Sequence, residues 1–66
     1  MSIGSFHSET GLLLRQRGWL ILQRDEGGRW RLEVSASFDD LLGSRVRVEG
    51  TRIDFDILEV ARISPC

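Results

Sequence analysis

The chain has 66 residues, 41% of them hydrophobic, with nine arginines, no lysine, ten acidic residues and a formal net charge of −1. That length holds one domain, near the lower limit for folding on an apolar core alone. Cys66 is the only cysteine, which excludes an internal disulfide, and one Cys with one His is too few for a structural zinc site.

Near-neutrality also argues against the uniformly basic surface of a non-specific polyanion binder, though it leaves room for a local basic stripe. Residues 1–9 are small and polar around Phe6. They read as a flexible arm, with Phe6 and His7 free to dock on the body. The start has neither the charged head nor the apolar run of a signal peptide. The longest apolar stretches are three or four residues, too short to span a membrane as a helix. The expectation is a cytoplasmic protein.

From Thr10 onward, glycine recurs at short intervals, the rhythm of a strand-rich barrel. Gly11 to Gln16 reads as the first strand and Arg17-Gly18 as its turn. Trp19 to Arg24 is the second strand, rich in β-formers. Asp25-Glu26-Gly27-Gly28 follows, with glycines suited to the positive φ of hairpin turns. Arg29 to Val34 alternates strictly, with Trp30, Leu32 and Val34 on one face.

Ser35 to Gly43 changes character. Ser37 reads as an N-cap, Asp39 and Asp40 complement a helix dipole, and Gly43 is a natural stop. Phe38, Leu41 and Leu42 share a face at helical spacing, giving about one and a half turns of helix. Arg45 to Glu49 alternates again, Gly50 eases a bend, and Thr51 to Asp54 turns the chain. Phe55 to Ile63 is the last strand, with a bulge near Ala61-Arg62 where Ile63 falls out of phase.

Three strands, a short helix and two more strands (β-β-β-α-β-β) is the order of a five-stranded OB-like barrel occupying residues 10–64. An SH3-like small barrel is the alternative; it usually lacks a helix at this point. The expected interior holds Leu12, Leu14, Leu20 and Leu22 from the first two strands. Trp30, Leu32, Val34, Leu41 and Leu42 follow, then Val46, Val48, Leu58, Val60 and Ile63.

Four motifs carry a resemblance: Gly11-x-Leu13, Gly27-Gly28-x-Trp30-x-Leu32, Leu42-Gly43-x-x-Val46-x-Val48-x-Gly50 and Phe55-Asp56-x-Leu58-x-Val60. Together they resemble a family of short bacterial proteins that bears only a domain-of-unknown-function label. The likeness runs from about Gly11 to Ile63. Asp54 stands where such sequences often have glycine, and aspartate tolerates left-handed backbone better than most residues. The resemblance implies a fold and a bacterial origin, and no activity.

Chemistry is sparse. No Ser-His-Asp set with a nucleophile turn is legible, there is no phosphate loop, and there is no lysine for Schiff-base work. Asp39-Asp40 is explained by helix capping. Asp54 and Asp56 fall far short of the roughly six to eight oxygens calcium takes. The chain reads as a non-enzyme without cofactor or metal.

Binding is the remaining class. With Leu20 and Leu22 inward, Trp19 and Ile21 lie outside, joined by Leu13 and Arg15 of the first strand and by Arg29 and Arg31 of the third. This aromatic and aliphatic patch edged by arginine lies on the face that OB-folds use for ligands. A protein partner or a second copy is the first expectation. Single-stranded nucleic acid is the second, since stacking and phosphate contact need the same residues. A small ligand or oligosaccharide is the third.

Overall fold

The strongly alternating segments bury one face each, and the sheet they build closes on itself. The computed structural model describes residues 4–66; the first three residues of the expected arm lie outside them. The strands are β1 (Phe6–Gln16), β2 (Trp19–Arg24), β3 (Arg29–Glu33), β4 (Arg45–Asp54) and β5 (Ile57–Pro65). They hydrogen-bond in the order β1-β2-β3-β5-β4, and β4 pairs with β1, so the protein is all-β with five strands in a closed ring. All neighbours are antiparallel except β3 and β5, which run parallel over Arg31↔Ile57, Leu32↔Leu58 and Glu33↔Glu59. Closure pairs the edges that an open sheet of this size would expose.

β1 serves two ladders. Phe6 to Leu12 pairs with β4, and Gly11 to Gln16 pairs with β2. Phe6 to Glu9 are therefore strand residues rather than arm, the first four of seven register positions with β4, beginning at Phe6↔Thr51. The overlap covers Gly11 and Leu12, and a Cβ on Gly11 would lie 2.0 Å from the Gln23 carbonyl oxygen. Only glycine lets β2 approach this closely.

The same residue sets the facing of β1. His7, Gly11 and Leu13 are buried, whereas Leu12 is exposed and Leu14 half-buried. This corrects the expected inward pair Leu12 and Leu14: Leu13 is the core residue, fully buried opposite Leu22. Leu12-Leu13-Leu14 is apolar at every position, so alternation cannot choose between its faces. The backbone approach at Gly11 does.

The core otherwise comes from the inward positions of β2 to β5: Leu20, Leu22, Trp30, Leu32, Val46, Val48 and Leu58. Val34, Leu41, Leu42, Val60 and Ile63 pack against it partly buried, as does Phe38. The expected helix is one 3₁₀ turn, Asp39–Leu41, entered through Phe38 with no side-chain cap. Ser37 is therefore not an N-cap. Leu42 is already extended at ψ 134°, which turns it onto the core and ends the helix after a single turn. Gly43 follows at φ 81°, as a stop residue should.

β4 runs to Asp54, past the expected turn, and the chain reverses at Phe55-Asp56. The expected bulge is present. Glu49 pairs with Arg62 and Gly50 with Val60, leaving Ala61 as the extra residue.

Trp30→Ala should cost about 3–5 kcal/mol, the range for a buried large aromatic, and a native-like melting transition would contradict its interior placement. Gly11→Ala must displace the β2 backbone and should cost more than Gly43→Ala. At Gly43 nothing lies within 4 Å of an added Cβ and only the positive φ opposes it, a penalty of about 1–2 kcal/mol. Ser37→Ala should leave the chemical denaturation midpoint unchanged.

Candidate interaction site

Cross-strand register builds the outer face of β1, β2 and β3 in rows. Leu14 stands beside Ile21, Ile21 beside Arg31, and Arg31 beside Ile57. Gln16 flanks Trp19, and Leu12, Gln23 and Arg29 form the next row. Trp19 and Arg31 are diagonal neighbours, and the Arg31 guanidinium carbon sits 5.1 Å from the Trp19 ring centroid, a cation–π contact. Arg31 Nη2 also donates to Asp56 Oδ1 at 2.9 Å. That hydrogen bond holds Arg31 above the usual arginine range. Arg29 Nη1 donates to Gln16 Oε1 at 3.0 Å.

Trp19, Ile21, Arg29 and Arg31 therefore share one outer face. Leu13 does not, being in the core, and Leu14 takes its place. Ile21 faces outward yet is only 6% exposed, between Leu14 and Arg31. Arg15 lies on the opposite parity, at the ring's mouth, where its Nη2 meets Asp39 Oδ1 at 2.5 Å. Sequence reasoning missed Leu14, Ile57 and Asp56. An acid beside an outer-face arginine, across a strand pairing not evident from the sequence, was the only signal for Asp56.

Trp19 also borders an open cleft of about 570 Å³. Leu20, Leu32, Val34 and Phe38 supply apolar lining, and Arg15, Glu33, Ser35 and Ser37 supply polar groups. The 35–37 segment forms one wall because the chain leaves β3 at Glu33 and does not enter its 3₁₀ turn until Asp39. Half-buried Trp19 thus links a stacked face to a cleft.

The opposite end of the ring is filled by its own side chains. His7 is 9% exposed, its ring centroid 5.2 Å from that of Trp30. Its Nε2 lies 2.8 Å from Ser5 Oγ, and its Nδ1 3.6 Å from Glu9 Oε2. Arg24 Nε donates to Glu9 Oε1 at 3.1 Å. His7 is part of the packed interior, not a tail residue. The acidic pairs are also engaged: Asp54 Oδ1 accepts the Phe55 N–H, Asp56 holds Arg31, and Asp39 holds Arg15. Asp25 is drawn below the usual carboxylate range by hydrogen bonds from Arg45 and, more weakly, Thr10. Among the described residues no group of three or more His, Cys, Asp or Glu could hold a metal, and no helix is long and apolar enough to cross a membrane.

Arg31→Ala removes the cover from Trp19 and Ile21 together. It should red-shift tryptophan emission, whereas Arg29→Ala should leave the spectrum unchanged.

No curated protein and no solved structure matches the chain. A family described as "Protein of unknown function (DUF5818)" matches residues 10–66, which include all of β2 to β5 and β1 from Thr10 onward. The chain belongs to that family.

Proposed function

We propose that this protein is a non-catalytic interaction module built on an OB-type barrel, and that it holds another protein chain at the face and cleft that meet at Trp19. The OB reading is supported by the strand order, by a β1 shared between β2 and β4, and by the parallel β3–β5 pairing. On such barrels the strand 2–3 face, with the 1–2 and 4–5 loops, is the ligand surface. Here that surface is Trp19, Ile21, Arg29 and Arg31, with Arg17-Gly18 at one loop and Phe55-Asp56 at the other. A cytoplasmic setting belongs to the same proposal, since an exposed thiol such as Cys66 stays reduced there.

One observation carries the reading. Trp19 is half-buried, fixed by Arg31, and opens on a cleft with an apolar lining and polar groups around it. A rigid aromatic beside a pocket is the arrangement that anchors a partner side chain at low entropic cost. The face is too well covered to associate by apolar area alone, because Ile21 is buried and Leu13 lies inside.

Single-stranded nucleic acid is the second reading, favoured by the arginine stacked on Trp19 and by exposed Arg29 beside it. Against it, Arg15 and Arg31 are each neutralised by an aspartate.

Panning a displayed random-peptide library on the immobilised protein separates the two. Enriched peptides should share an apolar anchor, lose binding to Trp19→Ala by about tenfold or more, as for a buried aromatic hot spot, and tolerate added salt. Titration with a short oligothymidylate should leave Trp19 emission unchanged. Quenching that weakens steeply with salt would replace the protein reading with the nucleic-acid one. No enrichment over a Trp19→Ala control would overturn the site.

A further inference from the structure

The apolar residues left most exposed do not surround Trp19. Among the described residues four large hydrophobics are exposed, and three of them, Phe6 (62%), Leu12 (41%) and Ile53 (38%), lie on the outer face of β1 and β4. Phe55 is the fourth, at the β4–β5 turn, where Arg52 stacks on it.

The outward positions on this face are fixed by register: Phe6 beside Thr51, Ser8 beside Glu49, Thr10 beside Arg47, and Leu12 beside Arg45. Read from the opposite end, the pattern is complementary to itself about the level of Glu9↔Val48. Phe6 exchanges with Leu12, Ser8 with Thr10, Glu49 with Arg47, and Thr51 with Arg45. Reversal keeps apolar on apolar and hydroxyl on hydroxyl, sets acid against base, and at the ends places Thr51 opposite Arg45, whose charge Asp25 already holds.

We propose that this β1–β4 face is the interface between two copies of the chain. The twofold axis lies between the two faces and crosses the strands at the level of Glu9 and Val48. β4 then runs antiparallel over β4 of the second copy. Phe6 rests on the second copy's Leu12, Leu12 on its Phe6, and Arg47 meets its Glu49 twice over, the isologous arrangement of a C2 dimer.

The electrostatic state of the single chain fits this arrangement. Arg47 is exposed, and among the described residues it has no ion pair or side-chain hydrogen bond. Glu49 is half-buried, and its ion-pair partner, Arg62, stands 3.8 Å away. Arg47 is therefore available to a partner, and Glu49, held by Arg62 at the outer limit of an ion pair, can share its charge with a second guanidinium. The interface adjoins the Trp19 surface through the row of Leu12, Gln23 and Arg29 but does not include Trp19 or its cleft, so either proposal can fail without the other.

Sedimentation velocity over a concentration series, with paired charge reversals, tests it. The wild type should move from 7.5 kDa toward twice that mass as concentration rises. Arg47→Glu and Glu49→Arg each set like charges opposite one another across the axis, and each should weaken dimerisation by about tenfold or more. The double variant exchanges the charges and should return to within about threefold of wild type, a recovery that a folding defect would not give. Phe6→Ser should also push the protein to monomer, whereas Trp19→Ala should leave the dimer intact. A monomer at every concentration would overturn the proposal, as would a dimer indifferent to both reversals or one lost on Trp19→Ala. Peptide binding that survives in Arg47→Glu would show the Trp19 site standing without the dimer.

Discussion

Gly11 occupies the point where β1 is shared by β4 and β2, with the Gln23 carbonyl oxygen 2.0 Å from where its Cβ would be. Much of the architecture depends on that approach. It lets one strand close the ring on two sides, fixes the inward parity of β1, and sends His7 and Leu13 to the interior. A second glycine does the matching service on β4. Gly50 faces Val60 at the bulge, where a Cβ would stand 2.5 Å from the Glu59 carbonyl oxygen. Two residues without side chains allow five short strands to curl into a ring, which bends the backbone more sharply than side chains on the inner face would permit.

The outward face of β1 follows from the same parity. Once Leu13 is inside, Leu12 and Leu14 must both look out, and their neighbours decide their fates. Leu14 sits beside Ile21 in the row that Arg31 covers. Leu12 sits between Gln23 and Arg45 and stays exposed. One strand thus supplies a covered apolar row to one surface and an open one to the next.

Strands in which polar and apolar residues alternate were legible from the sequence. Trp30 and Leu32 in β3, and Val46 and Val48 in β4, are buried as alternation requires, because the wrong facing would bury arginine. Where that penalty is missing, the reading had no grip. Leu12-Leu13-Leu14 costs about the same in either register, and only the unseen contact at Gly11 decides. The Phe6 to Glu9 stretch looked like an arm because His7 and Glu9 are polar yet face inward. Ser5, Trp30 and Arg24 satisfy them, and all three are distant from them in sequence or invisible to periodicity. The 35–43 segment had helical spacing, but Leu42 gains more by turning onto the core in extended backbone than by completing a turn too short to stabilise itself. For the candidate site, Trp19, Ile21, Arg29 and Arg31 followed from the alternation of β2 and β3. The parity of β1 puts Leu13 in the core and Arg15 at the cleft beside Trp19 rather than on the outer face.

Charge in this chain is arranged more than it is accumulated. Arg15, Arg24, Arg31 and Arg45 each meet a carboxylate from another part of the chain. Exposed pairs such as Arg15–Asp39 and Arg45–Asp25 contribute little stability individually, and the Arg24–Glu9 and Arg31–Asp56 pairs are part-buried. The four pairs tie β1 to the 3₁₀ turn, β2 to the start of β1, β3 to the β4–β5 turn, and β4 to the β2–β3 turn. Each guanidinium so held is withdrawn from the surface field, which leaves little attraction for a polyanion. Arg47 is outside this scheme, on the face whose apolar residues are also left open. A dimer formed there would carry two Trp19 clefts at a fixed separation. A partner with two anchors would then bind its second cleft intramolecularly, at the effective concentration set by that separation. Capture of single side chains at the two clefts would then become retention by the pair, and the dimer contact would bury apolar surface that a chain of 66 residues has too small a core to take in.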